Sequence, residues 1–249
     1  RTIAGSIAMS IKVARIHEEK IKSEKMATIG LVAATLAHEI KNPLASIKTF
    51  CELLPKKYNA DQEFRESFTH IVPSEICRID KLVSELLELS RQRQAETKTD
   101  AIEIPALLTE TLKLFSAQHE ENGIQVLTSF NDNHCVVKGN KDKLKQAIIN
   151  LIANCTQAMP MGGILKVSTA VADGRLVIHI QDTGPGIEEK DLKHLFVPFY
   201  STKETGIGLG LPISKGIIED HGGTIDVIST PRLGATYMLT FDIPDMVMK

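Results

Sequence analysis

Four short segments of this chain hold residues whose types and spacing suit chemistry. In the first, His38 is followed by Glu39 and, one helical turn on, by Asn42. At about 100° per residue, His38 lies about 200° around a helix from Leu36, so it points away from the apolar stripe. An imidazole with the ordinary value of about 6.5 is largely a free base near neutral pH. The neighbouring carboxylate can hold Nδ1–H and leave Nε2 as the nucleophile. In the second segment, Asn150 and Asn154 sit four apart, on one face of a helix. An amide oxygen there can ligate Mg²⁺ already held by ATP phosphates, although a solvated polar face accounts for the pair as well. In the third, Asp182-Thr-Gly-Pro-Gly186 ends a strand in a turn beside a carboxylate. Such a carboxylate can accept from an exocyclic amine and so select adenine over guanine; an ordinary turn explains the motif equally. The fourth, Gly206-Ile-Gly-Leu-Gly210, opens a helix. Its amides suit phosphate, and glycine lets that backbone come close. No Gly-Lys-Ser/Thr follows, so it is not a Walker loop. The order of the last three segments narrows the choice more than any one of them.

The elements that must position these residues differ between the two parts of the chain. Up to about Arg93, apolar residues recur at helical spacing. Ile7, Ile11, Ala14 and Ile21 form an imperfect seam that reads as a short coiled-coil connector over 1–25. A helix continues through Ile29, Ala33, Leu36, Ile40, Ile47 and Leu54. Pro55 to Asp61 reads as a turn, with Asp61 as N-cap of a second helix through Phe64, Phe68, Ile71, Ile76, Ile79, Val83 and Leu86. Two amphipathic helices in a hairpin cannot bury their stripes alone; pairing of two copies into a four-helix bundle solves this. With the pivot near Tyr58, Pro43 and Pro73 lie level, and each removes a backbone hydrogen bond, so the bundle is either bendable below His38 or tolerates two kinks. Arg78 lies level with His38, where it can steady an incoming phosphate or form a surface ion pair.

After Asp100 the pattern becomes mixed α and β. Helices are expected over Pro105 to His119, Asp142 to Met159 and Gly208 to His221. Strands are expected over 124–130, 135–138, 164–171, 176–182, 223–229 and 235–241. This is an α+β two-layer sandwich with helices on one face of a mixed sheet.

Composition sets outer limits. A chain of 249 residues, 43% hydrophobic, has room for two ordinary domains with packed cores. A net charge of −2 gives no basic surface, so no nucleic-acid partner is expected. Cys51, Cys77, Cys135 and Cys155 form no C-x-x-C pair, which leaves them as small apolar residues in a reducing compartment. The longest uncharged apolar run, Ile29 to Ala37, is too short to span a bilayer. The helical pattern is already running at Arg1, as in a fragment of a longer protein.

Asn150-Leu-Ile-Ala-Asn154, Asp182-Thr-Gly-Pro-Gly186, Phe196-Val-Pro-Phe199 and Gly206-Ile-Gly-Leu-Gly210-Leu211 resemble the N, G1, F and G2 boxes of histidine kinase ATP-binding domains. Ala37-His38-Glu39-Ile-Lys-Asn42-Pro-Leu44 resembles the H box of the same family. The resemblance covers nearly the whole chain, and its ATP-binding part extends to the wider superfamily that includes gyrase. It implies a dimerisation and histidine phosphotransfer domain over 26–97 and a Bergerat-fold catalytic domain over 98–249. It also implies that ATP and Mg²⁺ are bound, with Asn154 ligating the metal and Asp182 reading adenine. Asn150, Gly184, Gly186, Gly206, Gly208, Leu209, Gly210 and Thr236 would line the nucleotide site. Residues 196–205 would form a mobile lid, from which Lys203 approaches phosphate. His38 Nε2 would attack the γ-phosphorus and pass the phosphoryl group to the receiver domain of a separate response regulator in the bacterial cytoplasm. Glu39-x-x-Asn42 resembles the family's phosphatase signature. Cys155 stands where the family usually has alanine. Gln157 stands where some relatives place a basic residue, and it takes no role here. Segment 3–15 resembles the last helix of a GAF-type sensor. A plain ATPase switch has no use for the His38 segment, and a phosphotransfer scaffold has none for intact nucleotide boxes.

Overall fold

The computed structural model describes residues 37, 39–59, 61–90, 100–130, 135–172, 174–203 and 208–243. His38, Gly206, the expected connector at 1–25 and the expected boundary at 97 lie outside the described residues. The chain divides into two units between Ser84 and Glu85.

The first unit holds a helical hairpin. Helix α1 covers residues 39–57 and α2 covers Gln62–Ser90. The turn is shorter than expected, because α1 runs through Pro55 to Lys57. Pro55 deprives the carbonyl of Cys51 of its usual donor, but Cys51 is exposed, where water can replace that donor. The chain reverses with Tyr58 N–H donating to the Leu54 carbonyl at 3.1 Å and Asp61 N–H to the Lys57 carbonyl at 2.9 Å. Asp61 Oδ1 then accepts from Phe64 N–H at 3.0 Å, capping α2 from the position the sequence marks. That bond is the main reason the Asp61 carboxyl sits below its usual range. Phe50, Phe64 and Phe68 close the base, with Phe50 and Phe64 centroids 5.6 Å apart. Both helices continue through Pro43, which is buried, and Pro73, which is exposed.

The second unit is the two-layer sandwich. Strands β1 (Asp100–Glu103) and β3 (Val136–Gly139) form a small antiparallel pair. Strands β2 (Ile124–Ser129), β4 (Gly163–Ala172), β5 (Arg175–Asp182), β6 (Gly223–Thr230) and β7 (Gly234–Asp242) form a sheet in the order β2-β4-β5-β7-β6. The β2–β4 pair is parallel and the other neighbours are antiparallel. Period-two alternation sends Leu165, Val167, Ile178, Ile180, Ile225, Tyr237 and Leu239 to one buried face. Helices α3 (Ile104–Leu114), α5 (Lys141–Ala158) and α7 (Gly210–Asp220) complete that core. In α5, Leu144, Ala147, Ile148, Leu151, Ile152 and Cys155 are buried at three-and-four spacing. The helix expected over 105–119 is broken at Phe115, after which α4 (Ser116–Glu121) starts; α6 (Glu189–Leu192) is a single turn.

Candidate functional site

Asp182 is the last residue of β5 and continues its inward row, so the carboxylate is driven under the helices and is only 3% exposed. Its Oδ1 accepts from Gly184 N–H at 2.8 Å and from Ala235 N–H at 3.3 Å, which fixes the carboxylate's orientation. The turn beyond it is held from below. Gly186 has φ +72°, and a Cβ there would stand 2.2 Å from the Thr230 carbonyl oxygen. Arg232 N–H donates to the Pro185 carbonyl at 2.6 Å, and Ile187 N–H to Ser229 Oγ at 2.9 Å. Thr236 does not join Asp182. It pairs with Gln181 across β5–β7 and shares that residue's face of the sheet, opposite the one carrying Asp182. Its neighbours Gly234 and Ala235 touch the carboxylate residue instead. The strand's period of two sets Thr236 and Ala235 on opposite faces, so it is Ala235 that shares the face of Asp182.

Beneath Asp182 lies Cys155, fully buried. Burial, and after it the Asp182 charge, push its thiol well above the usual range, so it remains an S–H. The Tyr237 hydroxyl is raised by burial in the same way.

Asn150, Asn154 and Gln157 form a row of amides along one face of α5, spaced four and three. Asn150 Nδ2 makes a long 3.5 Å contact to the Gly210 carbonyl, where α7 begins. Gln157 Oε1 accepts from Lys203 Nζ at 3.1 Å. The Asn154 side chain, between them, has no hydrogen-bond partner among the described residues. Among the described residues no side chain caps α7, which leaves the amides of its first turn open to an anion. Gly208, with φ +75°, lies against the backbone of Phe199 and Tyr200, where a Cβ would meet atoms at 2.6 Å; its carbonyl accepts from Phe199 N–H at 3.0 Å. That contact ties the Phe196–Phe199 segment to the glycine loop. Leu209 is buried and anchors the loop to the core.

Helix α7 runs antiparallel to α5, and the seam is tied three times. Asn150 meets Gly210 at one end, Ser214 Oγ donates to the Gly210 carbonyl at 2.9 Å and reaches the Ala147 carbonyl at 3.4 Å, and His221 closes the far end. His221 Nε2 accepts from Asn140 N–H at 2.9 Å while Nδ1 lies 2.7 Å from the Ile217 carbonyl, which fixes Nδ1 as the protonated nitrogen. His119 is also specifically held, its Nε2 lying 2.9 Å from Thr156 Oγ1.

In the hairpin, Arg78 donates to Glu39 Oε2 at 3.2 Å, which favours the ion-pair reading of that guanidinium. Asn42 is exposed on α1.

Residues 28–95 match the His kinase A phospho-acceptor domain family, and residues 139–245 match the histidine kinase-, DNA gyrase B- and HSP90-like ATPase family. The chain belongs to the sensor histidine kinases. Its kinase core is 36% identical to sporulation kinase A of Bacillus subtilis over 246 residues, covering 96% of this chain and 40% of that protein. It is 34% identical to the sensor histidine kinase ZraS of Klebsiella oxytoca, covering 92% and 49%. The chain thus spans about half or less of the length of these curated relatives. Among solved structures, histidine kinase ThkA in complex with response regulator protein TrrA superposes with a TM-score of 0.78 at 26% identity, over 92% of this chain and 66% of that one. The histidine kinase fold, a helical hairpin followed by the α+β sandwich, is therefore the architecture of this chain.

Mg²⁺ fits the histidine kinase site in one way. Among the described residues no group of three or more His, Cys, Asp or Glu side chains could hold a metal alone. The unpartnered Asn154 amide suits an ion that brings its phosphate and water ligands with it. No helix among the described residues is long and apolar enough to cross a membrane.

Proposed function

We propose that the chain uses ATP to phosphorylate His38 and passes the phosphoryl group to an aspartate on the receiver domain of a separate response regulator. The observation that carries this reading is the convergence of Asp182, the α5 amide row and the uncapped start of α7 on one corner of the sandwich. Asp182 Oδ2 accepts from the adenine amino group while Oδ1 stays on its two backbone donors. The α7 amides and Lys203 take the phosphates. Mg²⁺, held by Asn154, offsets phosphate charge when bound. His38 Nε2 forms a bond to the γ-phosphorus as the bond to the β–γ bridging oxygen breaks, and ADP leaves. Phosphohistidine then gives its phosphoryl group to the receiver carboxylate.

Glu39, locked to Arg78, orients the His38 ring, and Arg78 belongs to the phosphoacceptor site for that reason. Asn42 supports a second activity, orienting water against the partner's phosphoaspartate. Exposed Leu44, Ile76 and Val83 on the hairpin support a homodimer through a four-helix bundle. The domains are 1–25, 26–97 and 98–249, and the reaction belongs in the bacterial cytoplasm. A receiver partner is supported by the ThkA relative, which was solved with response regulator protein TrrA.

The test is incubation with γ-labelled ATP and Mg²⁺, comparing wild type with His38→Ala. Acid-labile, base-stable label should appear on the wild type and vanish from the variant. Release of free phosphate by both, with no protein label, would instead identify an ATPase of the wider superfamily.

A further inference from the structure

We infer that Gln157 is a positioning residue for the phosphate-binding lysine, its side-chain carbonyl holding the Lys203 ammonium over the face of α5 that carries Asn154. The inference rests on the nucleotide site proposed above and deepens it. Lys203 Nζ donates to Gln157 Oε1 at 3.1 Å. The segment that delivers it is turned by Ser201, whose Oγ accepts from Lys203 N–H at 3.1 Å and donates to the Lys203 carbonyl at 3.2 Å. Gln157 is three residues after Asn154, so the ammonium docks one turn from the proposed metal ligand.

The acceptor's chemistry matters as much as its place. Among the described residues Lys203 makes no ion pair, so a neutral amide fixes the cation without cancelling its charge. A carboxylate at 157 would neutralise the lysine and stand as a negative charge against the phosphates. The ammonium is partly desolvated where it meets α5, although the lysine as a whole is exposed. That desolvation pulls it below its usual range against the opposing pull of the Asp182 charge. A partly desolvated cation held by a neutral amide is poised to exchange that contact for a polyphosphate.

The test is a double-mutant cycle on the full chain, with affinities for Mg²⁺-ATP and for AMP measured by titration calorimetry. Both side chains are exposed, and thermal melts of each variant should match wild type. Lys203→Ala should weaken ATP about tenfold, as loss of one charge-assisted contact does. Gln157→Ala should weaken ATP about threefold in the wild type and leave affinity unchanged in the Lys203→Ala background. Gln157→Glu should weaken ATP about tenfold while AMP binding holds, since AMP lacks the outer phosphates. A Gln157→Ala effect that persists without Lys203, or that falls equally on AMP, overturns the positioning role. Wild type that binds AMP and ATP with these couplings absent refutes the inference alone. Wild type that binds neither nucleotide refutes the proposed function and the inference with it.

Discussion

At the scale of single residues, the sandwich holds buried polar groups whose partners the fold itself fixes. Asp182 is one and His119 is another, and the second yields a pH dependence. The His119 ring is 3% exposed, stacks on Phe115 and donates through Nε2 to Thr156, whose hydroxyl in turn donates to the Ile152 carbonyl at 2.9 Å. Burial lowers its affinity for a proton below the ordinary value of 6.5. The unfolded chain therefore binds a proton first as pH falls through about 6.5. The stability that His119 contributes is present in full above that value and is lost progressively below it. Thermal melts between pH 7.5 and 5.5 should show wild type losing stability on acidification. His119→Leu should start about 1 kcal/mol lower at pH 7.5, for its lost hydrogen bond, and show a shallower pH slope. Equal slopes would remove His119 as the titrating group. Residue-level reading of the sequence went furthest where a residue's role is local. Asp61 caps α2 from the position its spacing marks, and the Asp182 turn lies where its glycines put it. It had no means of finding Ala235, which acts through its backbone N–H, or of naming Glu39 as the partner in the ion pair open to Arg78.

At the scale of elements, periodic segments were legible, the short strands β2 and β3 among them, and what was missed is one short strand and one helix break. Helix α5 and strands β4 to β7 fall within a residue or two of the expected spans, because each repeats its apolar period several times. Strand β1 has four residues and one buried side chain, Ile102, too little for any period to show. The break at Phe115 was hidden because the apolar spacing runs on across it. The polar ties along the α5–α7 seam were equally invisible, since they join residues up to 81 apart in sequence. Those ties set where the first turn of α7 stands relative to the amide row, so the far tie should matter to nucleotide binding. Gly139 reports on it, because a Cβ there would lie 2.0 Å from His221 Cδ2. Gly139→Ala should cost about 1–3 kcal/mol by displacing the ring. In a His221→Ala background, where no ring stands in the way, its cost should fall below half of that. Chemical denaturation of the four proteins measures the coupling, and strict additivity would show that the ring does not hold the seam.

At the scale of the whole molecule, the two units solve the burial problem differently. The sandwich closes one continuous core from Ile102 to Ile243, drawing on every major helix and strand of that unit. The hairpin's described side chains bury only Pro43, Phe64 and Leu82, while Leu44, Tyr58, Ile76 and Val83 stay exposed. Apolar area left open at about 25 cal/mol per Å² is a standing drive to associate, and a second copy supplies a matching surface by symmetry. Separate chains of residues 26–97 and 98–249 should therefore behave unlike one another. The 98–249 chain should be a monomer with a melting temperature independent of concentration, and it should bind Mg²⁺-ATP without becoming labelled. The 26–97 chain should melt higher at higher concentration, as folding linked to association requires. Mixing the two with γ-labelled ATP should place label on the helical piece alone, more slowly than in the intact chain, where tethering raises the effective concentration of His38. Sedimentation and melting series at two concentrations decide the first part. A 26–97 chain that is folded and monomeric at every concentration would mean the hairpin buries its own stripe, leaving the exposed leucine, isoleucine and valine side chains without a partner to explain them.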